Sequence, residues 1–331
     1  MPGRTTSTIT ARNRLDHFLA RWRWNRAGHR VEPGLYELGG PGPDSPVFVT
    51  ANYTLSFDAL RLALAGLDAH ILVLDTEGIN VWCAAGKGTF GTDELVSRIE
   101  GSDLTGVVTH RKLMLPQLGA SGVAAQEVRK RSGFKVEYGP IRADDIQEYM
   151  RLGHATREMR RVRFDLKDRA VLIPVELVNA FLPAAAASLA MMVLDGPLGA
   201  VGMAASSFTG LVVFPLALPY LPGSEFSMKG FALGALTAGP LAAIAFFKGK
   251  GGPVERTVRA LSYLLAFPPV TSFFALNFTG STPIASKSGV EDEIYKYVPL
   301  MARAGGAGVT LAIGLAIYRL RRSEPNWLPR K

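Results

Sequence analysis

The chain has 331 residues, room for about two domains. Its formal charge is +9, from 37 Lys and Arg against 28 Asp and Glu, and it holds a single cysteine, Cys83. One cysteine excludes a disulfide framework and a cysteine-ligated iron–sulfur cluster within the chain. Nucleic acid is not the expected partner of the basic charge. The Arg-rich pieces flank apolar segments, where the positive-inside rule places them.

Residues 1–45 read as a basic N-terminal segment with no apolar h-region, so not as a secretory signal. Within it, Asp16 to Trp24 reads as a short helix, lying near a membrane surface or docked on the domain. Val31 to Pro46 reads as Pro- and Gly-rich loop. Residues 46–166 alternate strands and helices. Val47 to Val49, Ile71 to Leu74, Val107-Val108 and Phe134 to Tyr138 are the expected strands. Ser56 to Ala65, Thr92 to Glu100, Ser121 to Arg131 and Ala143 to Arg151 are the expected helices. This alternation predicts a small parallel α/β sheet of Rossmann-like type, with ligands beyond the carboxyl ends of the strands. Thr50 to Ser56, Thr76 to Phe90, Pro116 to Gly122 and Gly139-Pro140 fall there. Residues 167–322 read as an all-α polytopic transmembrane domain. Its apolar segments, about 171–194, 197–220, 230–247, 257–276 and 298–318, approach the roughly 20 residues that span a bilayer. Asn277 to Lys296 reads as an exposed polar loop, and 323–331 as a short polar tail.

The one cysteine sits in Asn80-Val81-Trp82-Cys83-Ala84-Ala85-Gly86-Lys87. Asn80 suits an N-cap, and Gly86 suits the end of a helix of little more than one turn. Cys83 would then lie in the first turn, where the helix end and Lys87 favour a thiolate. Ala84 and Ala85 leave room for something broad and flat against this face. A buried structural cysteine is the alternative, since a free thiol packs as a small hydrophobe. Hydroxyl and amide groups follow two strands, as Thr50, Asn52, Thr54 and Ser56, and as Gln117 and Ser121 beside Gly119 and Ala120. Such residues also cap helices. Gly86-x-Gly88 is not a dinucleotide fingerprint. The five histidines show no zinc-ligand spacing.

Asn80 to Lys87 resembles the cap-helix signature of the corrinoid protein family of microbial mercury methylation. That family is related to the large subunit of the corrinoid iron–sulfur protein of acetyl-CoA synthesis. Pro33 to Tyr36, Val49 to Phe57, Leu115 to Ala120 and Asn277 to Pro283 are similar too, so the resemblance covers nearly all the chain after the first thirty residues. It implies a corrinoid cofactor of cobalamin type, with the Cys83 thiolate as lower axial ligand of cobalt. It implies cofactor contacts at Thr50, Asn52, Tyr53, Thr54, Leu55, Ser56, Thr76, Gly78, Asn80, Val81, Trp82, Cys83, Ala84, Ala85, Gly86, Lys87, Gln117, Leu118, Gly119 and Ala120. The implied activity is methyl transfer to Hg(II) by a multi-pass protein of the cytoplasmic membrane, its corrinoid domain in the cytoplasm and lipid around its helices. A ferredoxin-like iron–sulfur electron donor and a methyl donor protein or methyl-folate system are the implied partners. A corrinoid methyl carrier of acetyl-CoA-type one-carbon metabolism is the alternative, although those relatives lack the cysteine. A non-enzymatic membrane thiol that binds metal is a third. Five spans would put the C-terminus outside, whereas Lys248-Gly249-Lys250 and Arg319 to Arg322 both prefer the inside.

Overall fold

A computed structural model of the protein describes residues 2–25 and 28–323. The chain divides after Arg163 into two compact units. Of the expected polar tail, residues 324–331 lie outside the described residues.

The first unit is built on a six-stranded sheet. Its strands are β1 (Gly3–Thr5), β2 (Gly34–Leu38), β3 (Val47–Ala51), β4 (Ala69–Leu74), β5 (Lys112–Leu115) and β6 (Lys135–Tyr138), in the order β1-β2-β4-β3-β5-β6. The sheet is mixed, not wholly parallel as expected. β4, β3, β5 and β6 run parallel, but β2 pairs antiparallel with β4. β1 then lies parallel to β2 at the edge. β1 and β2 both fall where only loop or basic segment is expected. Gly3–Thr5 has no apolar run to announce it, and Gly34–Leu38 is bounded by Pro and Gly.

The central strands alternate faces as their period of two requires. Val47, Val49, Leu72 and Leu74 join one core, and Phe48, Ile71 and Val73 the other. The first core packs α3 (Val81–Lys87), α4 (Thr92–Gly101), α5 (Leu104–Val107) and α6 (Ala125–Ser132). The second packs α2 (Thr54–Ala63) and α7 (Ile146–Leu152). Val107 ends a helical turn, so the expected third strand is displaced to Lys112–Leu115. The helix expected from Ser121 begins only at Ala125, because Gly119 and Gly122 are drawn tightly under Phe90.

The first helix, α1 (Ala11–Arg21), starts and ends earlier than the expected Asp16 to Trp24. A capping box between Thr10 and Asn13 opens it. It is pinned to α2 by buried charge. Asp58 and Arg61 pair at 2.6 Å, His17 reaches Asp58 at 2.7 Å, and Arg61 donates to the Thr6 and Thr8 carbonyls at 2.5 and 2.6 Å.

The second unit is helical. After α8 (Leu166–Ala170) come α9 (Ile173–Asp195), α10 (Pro197–Phe208), a π-helical turn at Thr209–Val213, α11 (Phe214–Ala217), α12 (Phe226–Phe247), α13 (Pro253–Phe278) and α14 (Lys287–Ser323). Five helical stretches are long and apolar enough to cross a membrane: Leu166–Asp195, Pro197–Tyr220, Phe226–Phe247, Pro253–Ser281 and Lys287–Arg322. α9 runs on through Pro183. Small residues let backbones approach, as Gly230 and Gly234 do against Ser272 and Pro268. Asp195 accepts from Arg259 at 2.8 Å, from Arg319 at 3.0 Å and from the Tyr263 hydroxyl. The expected exposed loop at Asn277 to Lys296 is mostly helix. Glu293 within it is buried and accepts from the Phe226 and Ser227 amides at 2.9 and 2.8 Å, capping α12. Glu225, at the N-cap position, makes no such bond.

Candidate functional site

α3 is short and held at both ends. Asn80 caps it, its Oδ1 accepting from the Cys83 amide at 2.9 Å. The helix ends at Gly88, with φ +89°, and not at Gly86, which is helical and open to solvent. A residue at φ near +90° is readily supplied only by glycine. Helical spacing sorts the side chains. Ala84 and Ala85 point into the core, so they do not form the broad open face expected of them. Trp82, Cys83, Gly86 and Lys87 are exposed. Cys83 is therefore not a buried structural thiol. The small residue on the open face is Gly86, one turn beyond Cys83.

The loop leading into α3 hangs on Asn52, which is 2% exposed. Its Oδ1 accepts from the Thr76 amide at 3.1 Å, the Thr76 hydroxyl at 2.9 Å and the Gly78 amide at 2.9 Å. Its Nδ2 donates to Asp75 at 3.0 Å. The turn needs positive φ at Glu77 and Gly78, a conformation glycine adopts freely and other residues seldom do. Asn52 and Thr76 thus brace the loops after β3 and β4 and are themselves sealed from solvent.

A cavity of about 380 Å³ opens beyond the carboxyl ends of β3 and β5. Strand order reverses there, since β4 lies on one side of β3 and β5 on the other. This is the switch point at which open α/β sheets bind ligands. Of the sequence candidates, Thr50, Ser56, Asn80, Val81, Trp82 and Leu118 line it. Asn52, Thr76, Ala84, Ala85 and Gly119 are buried in packing around it. Tyr53, Thr54, Leu55, Gly78, Gln117 and Ala120 flank it without lining it, and Cys83, Gly86 and Lys87 stand on the outer side of α3.

Sequence reasoning missed the apolar wall formed by Phe48, Leu60, Met114, Ile146 and Tyr149. The helical spacing of Ile146 and Tyr149 was the available signal. Burial raises the Tyr149 phenol, with Glu137 adding to it, so Tyr149 stays a neutral hydrogen-bond donor at ordinary pH. Gln117 is engaged, accepting from Arg160 at 2.6 Å. Among the described residues no three His, Cys, Asp or Glu side chains converge on one point. Cys83 thus offers a metal one protein ligand, and the rest of the coordination sphere must come with the metal.

Residues 24–150 match the family described as CO dehydrogenase/acetyl-CoA synthase delta subunit. The chain is similar to the acetyl-CoA decarbonylase/synthase complex subunit gamma of Archaeoglobus fulgidus, 34% identical over 123 residues, which is 37% of this chain and 26% of that protein. It is similar to the subunit of the same name from Methanopyrus kandleri, 33% identical over 127 residues, 38% of this chain and 27% of that one. It is also similar to the corrinoid/iron-sulfur protein large subunit of Moorella thermoacetica, 28% identical over 145 residues, 42% of this chain and 32% of that one. The chain thus spans about a quarter to a third of these relatives' length.

Proposed function

We propose that the α/β unit binds a corrinoid against α3 and serves methyl transfer, with the Cys83 thiolate as the protein ligand that would hold the cobalt. The observation that carries this is an exposed thiol in the first turn of a rigidly capped helix beside the switch-point cavity. It lies inside the stretch similar to a corrinoid/iron-sulfur protein subunit. The donor set fits. A single thiol suits a metal whose other positions are filled by a macrocycle, and Gly86 leaves the helix face beside it open. Asn80 and the Asn52 brace orient the thiol, while Thr50, Ser56 and Trp82 offer polar and aromatic contacts at the cavity. When bound, a corrinoid would supply a transferable methyl group, and electron donation from the Cys83 thiolate would favour its transfer as a carbanion equivalent.

The relatives' names favour a methyl carrier of acetyl-CoA-type one-carbon metabolism. A second reading, with Hg(II) as methyl acceptor, is favoured by Cys83 itself, because a strongly donating thiolate suits delivery to a soft electrophilic metal ion. With one cysteine in the chain, electrons come from a ferredoxin-like iron–sulfur partner, and the methyl group from a folate-linked donor. The five long apolar helices are read as spans of the cytoplasmic membrane, with the α/β unit on the cytoplasmic side. Arg259 and Arg319 are held by Asp195 within the bundle, Arg319 also by Glu255. Labelling of the C-terminus from either side of sealed vesicles tests the five crossings.

The acceptor is tested with the full chain, loaded with methylated corrinoid and offered Hg(II). Methylmercury formed by the wild type and not by Cys83→Ala is expected on the second reading. No methylmercury, with methyl transfer to a partner intact, leaves the one-carbon carrier.

A further inference from the structure

α1 is amphipathic in the reverse sense from a helix that serves a core. Asp16 and His17 face the protein, His17 on the buried Asp58 at 2.7 Å and Asp16 on the buried His29 at 2.8 Å, while Arg12 and Arg14 are exposed. Its large apolar residues other than half-buried Leu19 face away. Leu15 is 58% exposed, Phe18 56%, Trp22 40%, and Trp24 just beyond the helix 70%. Leu15, Phe18 and Trp22 recur at helical spacing, and the Phe18 and Trp22 rings touch with centroids 5.9 Å apart. No residue of α1 is buried. The helix is nonetheless fixed, because Arg61 holds the Thr6 and Thr8 carbonyls just before it.

We infer that this face lies on the anionic surface of the lipid bilayer that the C-terminal helices cross. The inference rests on reading residues 166–322 as membrane spans. Three observations select lipid as the occupant. First, residues 2–25 carry Arg4, Arg12, Arg14, Arg21 and Arg23 against one acid, Asp16, which complements the negative potential of a cytoplasmic leaflet. Second, the exposed apolar residues include two tryptophans set between arginines, and Trp is enriched where one end of a side chain is apolar and the other wet. Third, the unit ends at Arg163 and the first apolar stretch begins at Leu166, so the chain itself keeps the unit beside the bilayer. The helix holds the unit to the surface at a second point besides that tether. It thereby limits how the unit turns.

The full chain is placed in nanodiscs of equal phosphatidylcholine and phosphatidylglycerol, with and without acyl-brominated lipid. Trp82 and Trp327 are replaced by Phe. The spans contain no tryptophan, so all remaining tryptophan emission comes from Trp22 and Trp24. Contact predicts blue-shifted emission and about a twofold loss to brominated lipid, since an interfacial helix sinks about 5–10 Å into the headgroup–acyl boundary. Leu15→Glu with Phe18→Glu, both at exposed positions, should abolish the quenching and leave the circular dichroism unchanged. Incorporation into discs with red-shifted, unquenched emission would overturn the inference while leaving the spans intact. Failure of the chain to enter discs would overturn both. Emission that shifts with protein concentration and not with brominated lipid would assign the face to a second copy and also overturn it.

Discussion

Asn52→Ala tests whether one buried carboxamide positions the helix that presents Cys83. The substitution removes an acceptor shared by the Thr76 amide, the Thr76 hydroxyl and the Gly78 amide. The hydroxyl keeps a second partner, the Ile79 carbonyl at 2.7 Å, and Asp75 is exposed enough to be hydrated. Two amides lose their partner. Thr76 is fully buried and bears the full penalty, while half-buried Gly78 recovers part of it from water. At about 1–3 kcal/mol for an unsatisfied buried group, the loop loses about 2–4 kcal/mol. That is roughly a 30- to 1000-fold rise in its opening equilibrium. Hydrogen exchange followed by mass spectrometry on the full chain reads it directly. Peptides covering residues 75–84 should exchange faster by that factor, and peptides of α4 and β6 should not. A change under about threefold would mean that the loop is held by other contacts and that the brace does not set the position of α3.

Ala84→Leu and Gly86→Ala separate the two faces of α3. The first overpacks a site with no exposure and should cost about 1–3 kcal/mol in denaturant unfolding. The second meets nothing within 4 Å and sits at a helical position, so stability should rise by about 0.5–1 kcal/mol while corrinoid affinity falls. Equal effects of the two on stability would contradict the assigned faces. Arg61→Ala leaves buried Asp58 with His17 as its remaining partner and frees the Thr6 and Thr8 carbonyls, so it should cost up to about 3 kcal/mol, seen as early exchange of residues 3–21. Unchanged protection there would show that the pair does not hold the N-terminal segment. Tyr36, Tyr138 and Tyr149 all have raised phenol pKa values, chiefly from burial. The folded state therefore binds these protons more tightly than the unfolded chain. The resulting stability is fully present below the unfolded value near pH 10 and is lost as pH rises through the folded values. The unfolding midpoint should fall above about pH 10, and Tyr149→Phe should blunt the fall.

The parallel heart of the fold was legible because strands buried on both faces read as continuous apolar runs, as His70 to Leu74 does around one polar residue. β2 was not, since its pairing partner lies some thirty-five residues away and its own stretch is bounded by Pro and Gly. Asn80 was legible as a cap from its type and its place before Val81. The end of α3 was misplaced because Gly86 and Gly88 are equivalent as letters, and only the backbone shows which has positive φ. Ala84 and Ala85 were read as a ligand face because small size suits a ligand and a tight core alike. Their inward turn depends on Phe90 and Gly122, which approach from later in the chain. The tie between α1 and α2 left no signal: Asp58 and Arg61 are an ordinary i,i+3 pair on paper, but His17 lies 41 residues from Asp58, and the Thr6 and Thr8 carbonyls lie more than fifty residues from Arg61.

Ligation of cobalt by Cys83 is tested most directly by reconstitution. The 331-residue chain and its Cys83→Ala variant, reconstituted anaerobically with the same corrinoid, would be compared by cobalt content and visible spectrum. Thiolate ligation predicts stoichiometric cobalt in the wild type and a cobalt spectrum that changes when the sulfur is removed, with unchanged circular dichroism. Identical spectra in the two proteins, or no cobalt retained by a folded wild type, would contradict it.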